Sequence, residues 1–160
     1  MEKLFLDELK EIFGAEKHQT ILLPMLKKAA SSLKLQNTLA NHLYTTREHI
    51  GRLKEIFRLL GATPGSRHSE ALLGIGREAE TLIETTNRGT ATRDAGLIVM
   101  AQKLEHYEIS SYGSLAQMAR TLEYDDILDL LELTLYEEKE ADDVLTSLAE
   151  NYINIEASRE

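Results

Sequence analysis

Apolar residues recur at steps of three and four along almost the whole chain, which is the spacing of one buried face of an α-helix. Four long segments and one short segment carry this spacing, and no run alternates as a β-strand does. The first long helix is predicted over about residues 3–30 and the short helix over about residues 69–86. The chain is therefore predicted to be all-α.

The other three long helices are delimited by residues that typically start or stop helices. These are Ser31-Ser32 before the second helix, Gly61 and Pro64 after it, Thr90 or Thr92 before the third, and Asp125 before the fourth. On the second helix the apolar residues that predict the buried stripe are Leu39, Leu43, Ile50, Leu53, Phe57 and Leu60.

The lengths of the connections predict the topology. Few residues separate the first helix from the second, or the third from the fourth, so each pair should form an antiparallel hairpin. Residues 61–91 are long enough to return along a helix of about 27 residues, which spans ~40 Å. One long crossover between two hairpins is the ferritin-like arrangement. We expect one ferritin-like four-helix-bundle domain over residues 1–160, with residues 151–160 as a C-terminal tail.

Composition and charge narrow the function classes. The chain has 160 residues and no cysteine, which excludes disulfides, thiolate metal sites and cysteine nucleophiles. Its net charge of −9 is concentrated at one end, because residues 123–160 carry 13 acidic and 2 basic residues. An acidic segment of this kind disfavours binding to nucleic acid, because it repels the phosphate backbone. It either attracts cations or forms a solvated helix face. With no bilayer-length apolar stretch and no export signal, we expect a cytoplasmic protein without a membrane partner.

The most informative feature is a set of polar residues on the apolar stripes, near the middle of each long helix. They are Glu16 on the first helix, Thr45, Thr46 and His49 on the second, Glu108 on the third, and Glu138 with Asp142 on the fourth. Buried carboxylates need partners, protonation or a cation. Carboxylate and imidazole ligands suit iron, manganese or zinc. We predict a metal site with Glu16, Glu108 and Glu138 as ligands, joined by His49 and Asp142.

Alternative interpretations remain open for these residues. A shift of the helix period by one position would place Glu16 or Asp142 in solvent. The Glu-x-x-His motif of di-metal bundles is absent, although Glu105 and Glu108 are spaced as Glu-x-x-Glu. His42 and His49 lie two turns apart on one face, which is compatible with a weak surface metal site. No catalytic residue is assigned.

One segment resembles a known family. The stretch from Ala101 to Leu115, AQKLEHYEISSYGSL, resembles the bacterial YciF/YciE-like family closely. Shorter matches fall on the other helices in the same order, at Ala15-Glu16-Lys17, His42-Leu43, Thr46, Arg52-Leu53, Glu137-Glu138-Lys139 and Asp142. The resemblance extends over about residues 3–150.

The resemblance implies a ferritin-like bundle, usually a homodimer, associated with bacterial stress responses and similar to rubrerythrin-type di-iron proteins. Glu16, Glu108, Glu138 and Asp142 match the family's inward-facing acids, and His49 occupies a position where His or Gln is common. The family's two glutamates after His-Leu are replaced here by Tyr44 and Thr45, so a mononuclear or vacant site becomes an alternative to a binuclear one.

Two other functions are weighed against metal binding. The first is a non-catalytic dimer whose buried polar network joins Glu16, Thr45, His49, Glu108 and Tyr112 without metal. The second is a storage cage of many subunits, for which the sequence gives no indication.

Overall fold

The computed structural model describes residues 1–160 and is helical almost throughout, which confirms the all-α prediction. The helices are α1 (Glu2–Ala29), α2 (Leu33–Leu59), α3 (Glu70–Thr85), α4 (Ala91–Thr121), α5 (Asp125–Leu148) and α6 (Asn154–Ala157), with a π-helical turn at Ala149–Ile153 between the last two. None of these helices has the length and apolar character needed to cross a bilayer. The predicted C-terminal tail, residues 151–160, is mostly helical. Its residues 151–157 lie in the π-helical turn and α6, which continue α5.

The four long helices pack as two antiparallel pairs, α1 with α2 and α4 with α5. The pairs meet through α1 against α4 and α2 against α5. Contacts at both ends show that α1 and α4 are antiparallel. At one end, the ring of Phe5 near the start of α1 packs at a tilt of 59° against Tyr124, just after α4. At the other end, Ser31 after α1 hydrogen-bonds Asp94 near the start of α4. The chain therefore runs along α2 and α4 in the same direction, as a long crossover between two hairpins requires.

Polar caps hold the helix ends in place. Ser32, Ser69 and Thr90 accept hydrogen bonds from backbone N–H groups in the first turns of α2, α3 and α4. The buried Asp94 carboxylate accepts from the backbone N–H groups of Ser31 and Ser32, at 2.8 and 2.7 Å. Free N–H groups at a helix start need such acceptors. The α1–α2 turn is thereby tied to the start of α4.

The buried stripe of α2 differs from the one predicted. Its buried positions follow alternate steps of four and three and end on two adjacent residues: Leu35, Leu39, His42, Thr46, His49, Leu53, Ile56 and Phe57. Leu43 and Ile50, which the prediction placed on the stripe, are half-buried beside it. The prediction was wrong because Leu43 and Ile50 directly follow His42 and His49 in the sequence. The two histidines face inward, towards partners on other helices.

The crossover is anchored to α1 at a point where only glycine fits. Arg67 donates its backbone N–H to the Lys10 carbonyl, and its own carbonyl lies over Gly14. A Cβ atom built on Gly14 would lie 2.1 Å from the Arg67 oxygen. The absence of a side chain at this position therefore lets the segment before α3 lie directly on α1.

Gly14→Ala is expected to destabilise the protein by about 1–3 kcal/mol, because the crossover backbone must move away from α1. Chemical denaturation measures this change. Gly51→Ala is the matched control, since a Cβ there meets no atom within 4 Å and alanine favours the middle of a helix by about 0.5–1 kcal/mol. Equal stabilities for the two variants would contradict the close approach at Gly14.

Candidate metal centre

The middle of the molecule holds two adjacent groups of potential metal ligands. The first consists of Glu16 from α1, His49 from α2 and Glu138 from α5. The second consists of His42 from α2, Glu105 and Glu108 from α4, and the same Glu138. Within each group, one ligand atom from every residue lies within 4.8 Å of the others. Glu138 is thus shared, and all four long helices contribute.

His49 is the centre of the first group. Its Nδ1 atom lies 2.9 Å from Glu138 Oε1 and 3.2 Å from Glu16 Oε1. Glu16 is fixed in turn by Tyr112, whose hydroxyl donates a hydrogen bond of 2.5 Å to Oε1. The side chains of all four residues are buried. An imidazole nitrogen and two carboxylates therefore converge on one point without access to bulk water.

The opposite nitrogen of His49 has a partner that orients the ring. Nε2 lies 2.9 Å from Glu137 Oε2, and Arg52 donates to the same carboxylate oxygen at 2.7 Å. Arg52 also donates to Thr134 on α5. When His49 is neutral, an Nε2–H group that donates to this carboxylate leaves the Nδ1 lone pair directed at the group, as in the carboxylate–histidine–metal arrangement of metal sites.

The second group has few hydrogen-bonding partners. His42 Nε2 lies 3.3 Å from Glu105 Oε1 and 4.0 Å from Glu138 Oε2. Neither oxygen of Glu108, nor Oε2 of Glu105, nor Nε2 of His42 forms a hydrogen bond. Glu108 is 0% exposed. Buried polar atoms are almost always satisfied in folded proteins, so such a concentration of free acceptors requires an explanation.

Burial and mutual repulsion govern ionisation in both groups. Burial, together with the negative charge of Glu138, raises the pKa of Glu105 and Glu108 well above the usual glutamate range. Burial alone would lower the pKa of His49, but its contacts with Glu138 and Glu16 outweigh this effect and raise the pKa to about 10. Burial lowers the pKa of His42, which favours its neutral, ligand-competent form. Protons therefore supply the countercharge that a cation would otherwise supply.

The residues present fit a divalent transition metal. Free carboxylate oxygens and two imidazole nitrogens form a ligand set typical of iron, manganese or zinc. Glu105, Glu108 and Glu138 cannot all be ionised in the interior without countercharge. A cation placed among them would contact carboxylate oxygens that form no hydrogen bond within the protein.

The structure brings together four of the five predicted metal ligands: Glu16, Glu108, Glu138 and His49. Asp142 lies outside both groups. It is four residues beyond Glu138, about 6 Å further along α5. Its carboxylate accepts a hydrogen bond from Gln102 and lies 3.3 Å from the exposed ring of His106.

Sequence reasoning missed two residues of the second group, His42 and Glu105. The suggestion that His42 and His49 form a surface metal site is wrong, because both rings are buried inside the bundle. The step of seven from His42 to His49 and the step of three from Glu105 to Glu108 each keep two residues on one helix face. Those spacings were the available signals.

The predicted polar network also needs correction on α2. Thr45 is half-buried and donates its hydroxyl to the backbone carbonyl of Asn41, so it does not join Glu16 and His49. Thr46, the next residue, is the buried one. Tyr44 is 66% exposed and does not face the acids.

The pKa shifts predict how the stability of the metal-free protein depends on pH. The folded-state pKa values of Glu105, Glu108 and His49 are raised, so the folded state binds more protons than the unfolded state, and stability falls as pH rises from the unfolded pKa of each group towards its folded pKa. His42 has a lowered pKa, and its effect is confined to pH values below 6.5. The melting temperature in EDTA should therefore fall as pH rises from 6.5 towards 10, and saturating Mn²⁺ should weaken this fall. A pH-independent melting temperature in EDTA would contradict the ionisation scheme.

Comparison with known proteins supports the resemblance seen in the sequence. The family model "Domain of unknown function (DUF892)" matches residues 1–158. Protein YciF of Escherichia coli K12 is 39% identical over 158 residues, which cover 98% of this chain and 95% of YciF.

Solved structures agree with this assignment. The crystal structure of the E. coli stress protein YciF superposes with a TM-score of 0.90 at 39% identity, covering 96% of each chain. YcfI from Rhodopseudomonas palustris gives 0.88 at 37% identity, covering 92% of this chain and 93% of its own. A Xanthomonas campestris protein with 16% identity shares the fold, with a TM-score of 0.76 over 98% of this chain and 95% of its own. The chain therefore belongs to the DUF892 family and is similar to the stress protein YciF.

Proposed function

We propose that this protein is a ferritin-like, stress-associated protein that binds divalent iron or manganese in the middle of its bundle. Glu16, His49 and Glu138 would form one subsite, and His42, Glu105 and Glu108 would form the second with Glu138 between them. One observation carries this proposal. The two groups that share Glu138 contain buried carboxylate and imidazole atoms that have no hydrogen-bonding partners.

The absence of the family's two glutamates on α2 bears on the number of metal ions. His42 lies one turn before Thr45 and places a buried nitrogen next to Glu105 and Glu138. In this proposal His42 takes over as the α2 ligand of the second subsite, which makes a binuclear centre feasible. When bound, redox-active iron would supply reactivity towards oxygen or peroxide at an open coordination position. Tyr112 would orient Glu16, and Glu137 would orient His49.

Metal analysis of protein expressed in iron- or manganese-supplemented medium tests the proposal. The wild type should retain up to two ions per chain, and the double variant Glu16→Ala/Glu138→Ala should retain none because it removes a ligand from each subsite. Glu48→Ala is the control, since Glu48 is exposed on α2 beside His49 and lies outside both groups. Equal metal content in the wild type and the double variant would exclude these ligands.

A metal-free structural role is the second candidate. It is favoured by the contacts that join His49, Glu16, Tyr112 and Glu138 within the protein itself. The relative YcfI is also provisionally described as a structural protein. If this role is the correct one, added Fe²⁺ or Mn²⁺ should leave the melting temperature unchanged, whereas a tightly bound ion should raise it.

We further propose that the chain acts in the cytoplasm as a homodimer without nucleic-acid or membrane partners. The excess of acidic residues after position 122 supports the exclusion of nucleic acid. Sedimentation equilibrium tests the oligomeric state, and a particle of many subunits would indicate a storage cage instead.

A further inference from the structure

One cavity connects the buried ligands with the surface. It lies between α2 and α5 and has a volume of about 340 Å³. His42 and Glu105 form its floor, and the exposed residues Asn41, Glu140 and Val144 lie at its mouth. The four other main cavities contain no residue of the two ligand groups. This cavity is therefore an opening in the fold that reaches the candidate centre.

The charge of the cavity lining favours cations. Its acidic residues are Glu105, Glu137 and Glu140, and no lysine or arginine lines it. Glu137 is paired with Arg52, but Glu140 forms no ion pair and remains exposed at the mouth. By contrast, the cavity between α1 and the crossover is lined by Lys17 and Arg67. An acidic cleft with low-dielectric walls raises the local concentration of cations.

The floor of the cavity offers a first ligand to an incoming ion. His42 lines the cavity and is 7% exposed, and its Nε2 atom is buried without a hydrogen-bonding partner. Glu105 Oε2 beside it is likewise buried and without a partner. Two potential ligand atoms without hydrogen-bonding partners therefore lie at the inner end of an acidic opening, beside Glu138.

We propose that divalent cations enter the centre through this α2–α5 cavity, attracted by Glu140 and received by His42. This inference rests on the proposed metal-binding function and specifies its route. The cavity mouth is bordered by Thr38 on α2 and Ala141 on α5, both half-buried. Larger side chains at these positions should obstruct entry without removing a ligand.

Stopped-flow absorbance of Co²⁺ binding to the metal-free protein tests the route. Ala141→Leu and, independently, Thr38→Leu should each slow Co²⁺ loading at least about tenfold while reaching the same final stoichiometry, since entry through a constricted path limits the rate of binding. Ala40→Leu is the matched control, because Ala40 is a half-buried alanine that lines a different cavity, between α1 and α2. Circular dichroism establishes that each variant is folded.

If Glu140 attracts the cations, the rate of Co²⁺ loading should depend on salt concentration. Glu140→Gln should load Co²⁺ about threefold more slowly than the wild type at roughly 10 mM salt, and the difference should vanish near 0.5 M as charges are screened. Glu48→Gln removes one exposed charge on α2 outside the cavity and should have little effect.

The outcomes separate the route from the binding function. Wild-type loading rates in folded Ala141→Leu and Thr38→Leu would overturn the route while leaving the metal centre intact. A wild-type protein that takes up no Co²⁺, Fe²⁺ or Mn²⁺ would overturn both the proposed function and this inference. Slow loading in both cavity variants with normal loading in Ala40→Leu is the result that the route predicts.

Discussion

His49→Ala is expected to destabilise the metal-free protein by about 3–5 kcal/mol near neutral pH, the range for removing one partner of a buried ion pair. His49 lies between Glu16 and Glu138 and carries the positive charge that compensates them. Without the ring, these buried carboxylates are left together, and a cavity remains where the buried imidazole lay. Urea denaturation in EDTA measures the loss.

The same variant should recover part of its stability at lower pH, because protonation then neutralises the buried acids. His68→Ala is the control, since His68 is exposed in the crossover, and it should change stability by less than about 0.5 kcal/mol. If His49→Ala were as stable as His68→Ala at neutral pH, His49 would not be the countercharge of this centre.

Glu108→Leu is expected to have the opposite effect on stability. Both oxygens of Glu108 are buried without partners, and burial keeps its pKa high. Replacing buried ionic groups by apolar side chains of similar size often stabilises a protein by about 1–4 kcal/mol. The metal-free variant should therefore melt at a higher temperature than the metal-free wild type, and the increase should grow as pH rises above neutrality.

This gain in stability should be accompanied by a loss of metal binding at the second subsite. Isothermal titration with Mn²⁺ should show one fewer site than the wild type or no binding. Leu104, one turn before Glu108, is a buried leucine on the same face of α4. A Glu108→Leu protein that is less stable than the wild type, yet binds the same number of ions, would contradict the functional interpretation of this carboxylate.

Opposite effects at His49 and Glu108 would show that the centre is not simply a packed core. A carboxylate without partners lowers the stability of the metal-free state, and proteins accept such a cost mainly at functional sites. Glu105 and Glu108 carry unsatisfied oxygens next to Glu138, whereas Asp94, also buried, is fully engaged in capping. The contrast within α4 separates a structural acid from candidate ligands.

Local sequence patterns predicted much of the fold and part of the centre. Helix periodicity and the positions of serine, threonine and glycine located the helices, because these signals act over a few residues. Glu16, Glu108 and Glu138 were predicted to face inward because each shares a clear apolar stripe on its own helix. These predictions required no knowledge of how the helices pair.

The failures occurred where the decisive partner lies on another helix. On α2 the apolar Leu43 and Ile50 outweighed the polar residues that actually face the core. His42 turns inward towards Glu105 and Glu138, on α4 and α5, and no local pattern on α2 records those contacts. Asp142 fits the spacing on α5, but Gln102 on α4 engages its carboxylate at a different level. Spacing gives the face of a helix and not the register between helices.

Anomalous X-ray diffraction from crystals grown with Mn²⁺ locates bound ions directly. Anomalous peaks are expected at the middle of the bundle, one bounded by Glu16, His49 and Glu138 and another bounded by His42, Glu105 and Glu108 beside the same Glu138. Fully occupied Mn²⁺ sites confined to the protein surface, with no anomalous signal among these six side chains, would contradict the proposed metal centre.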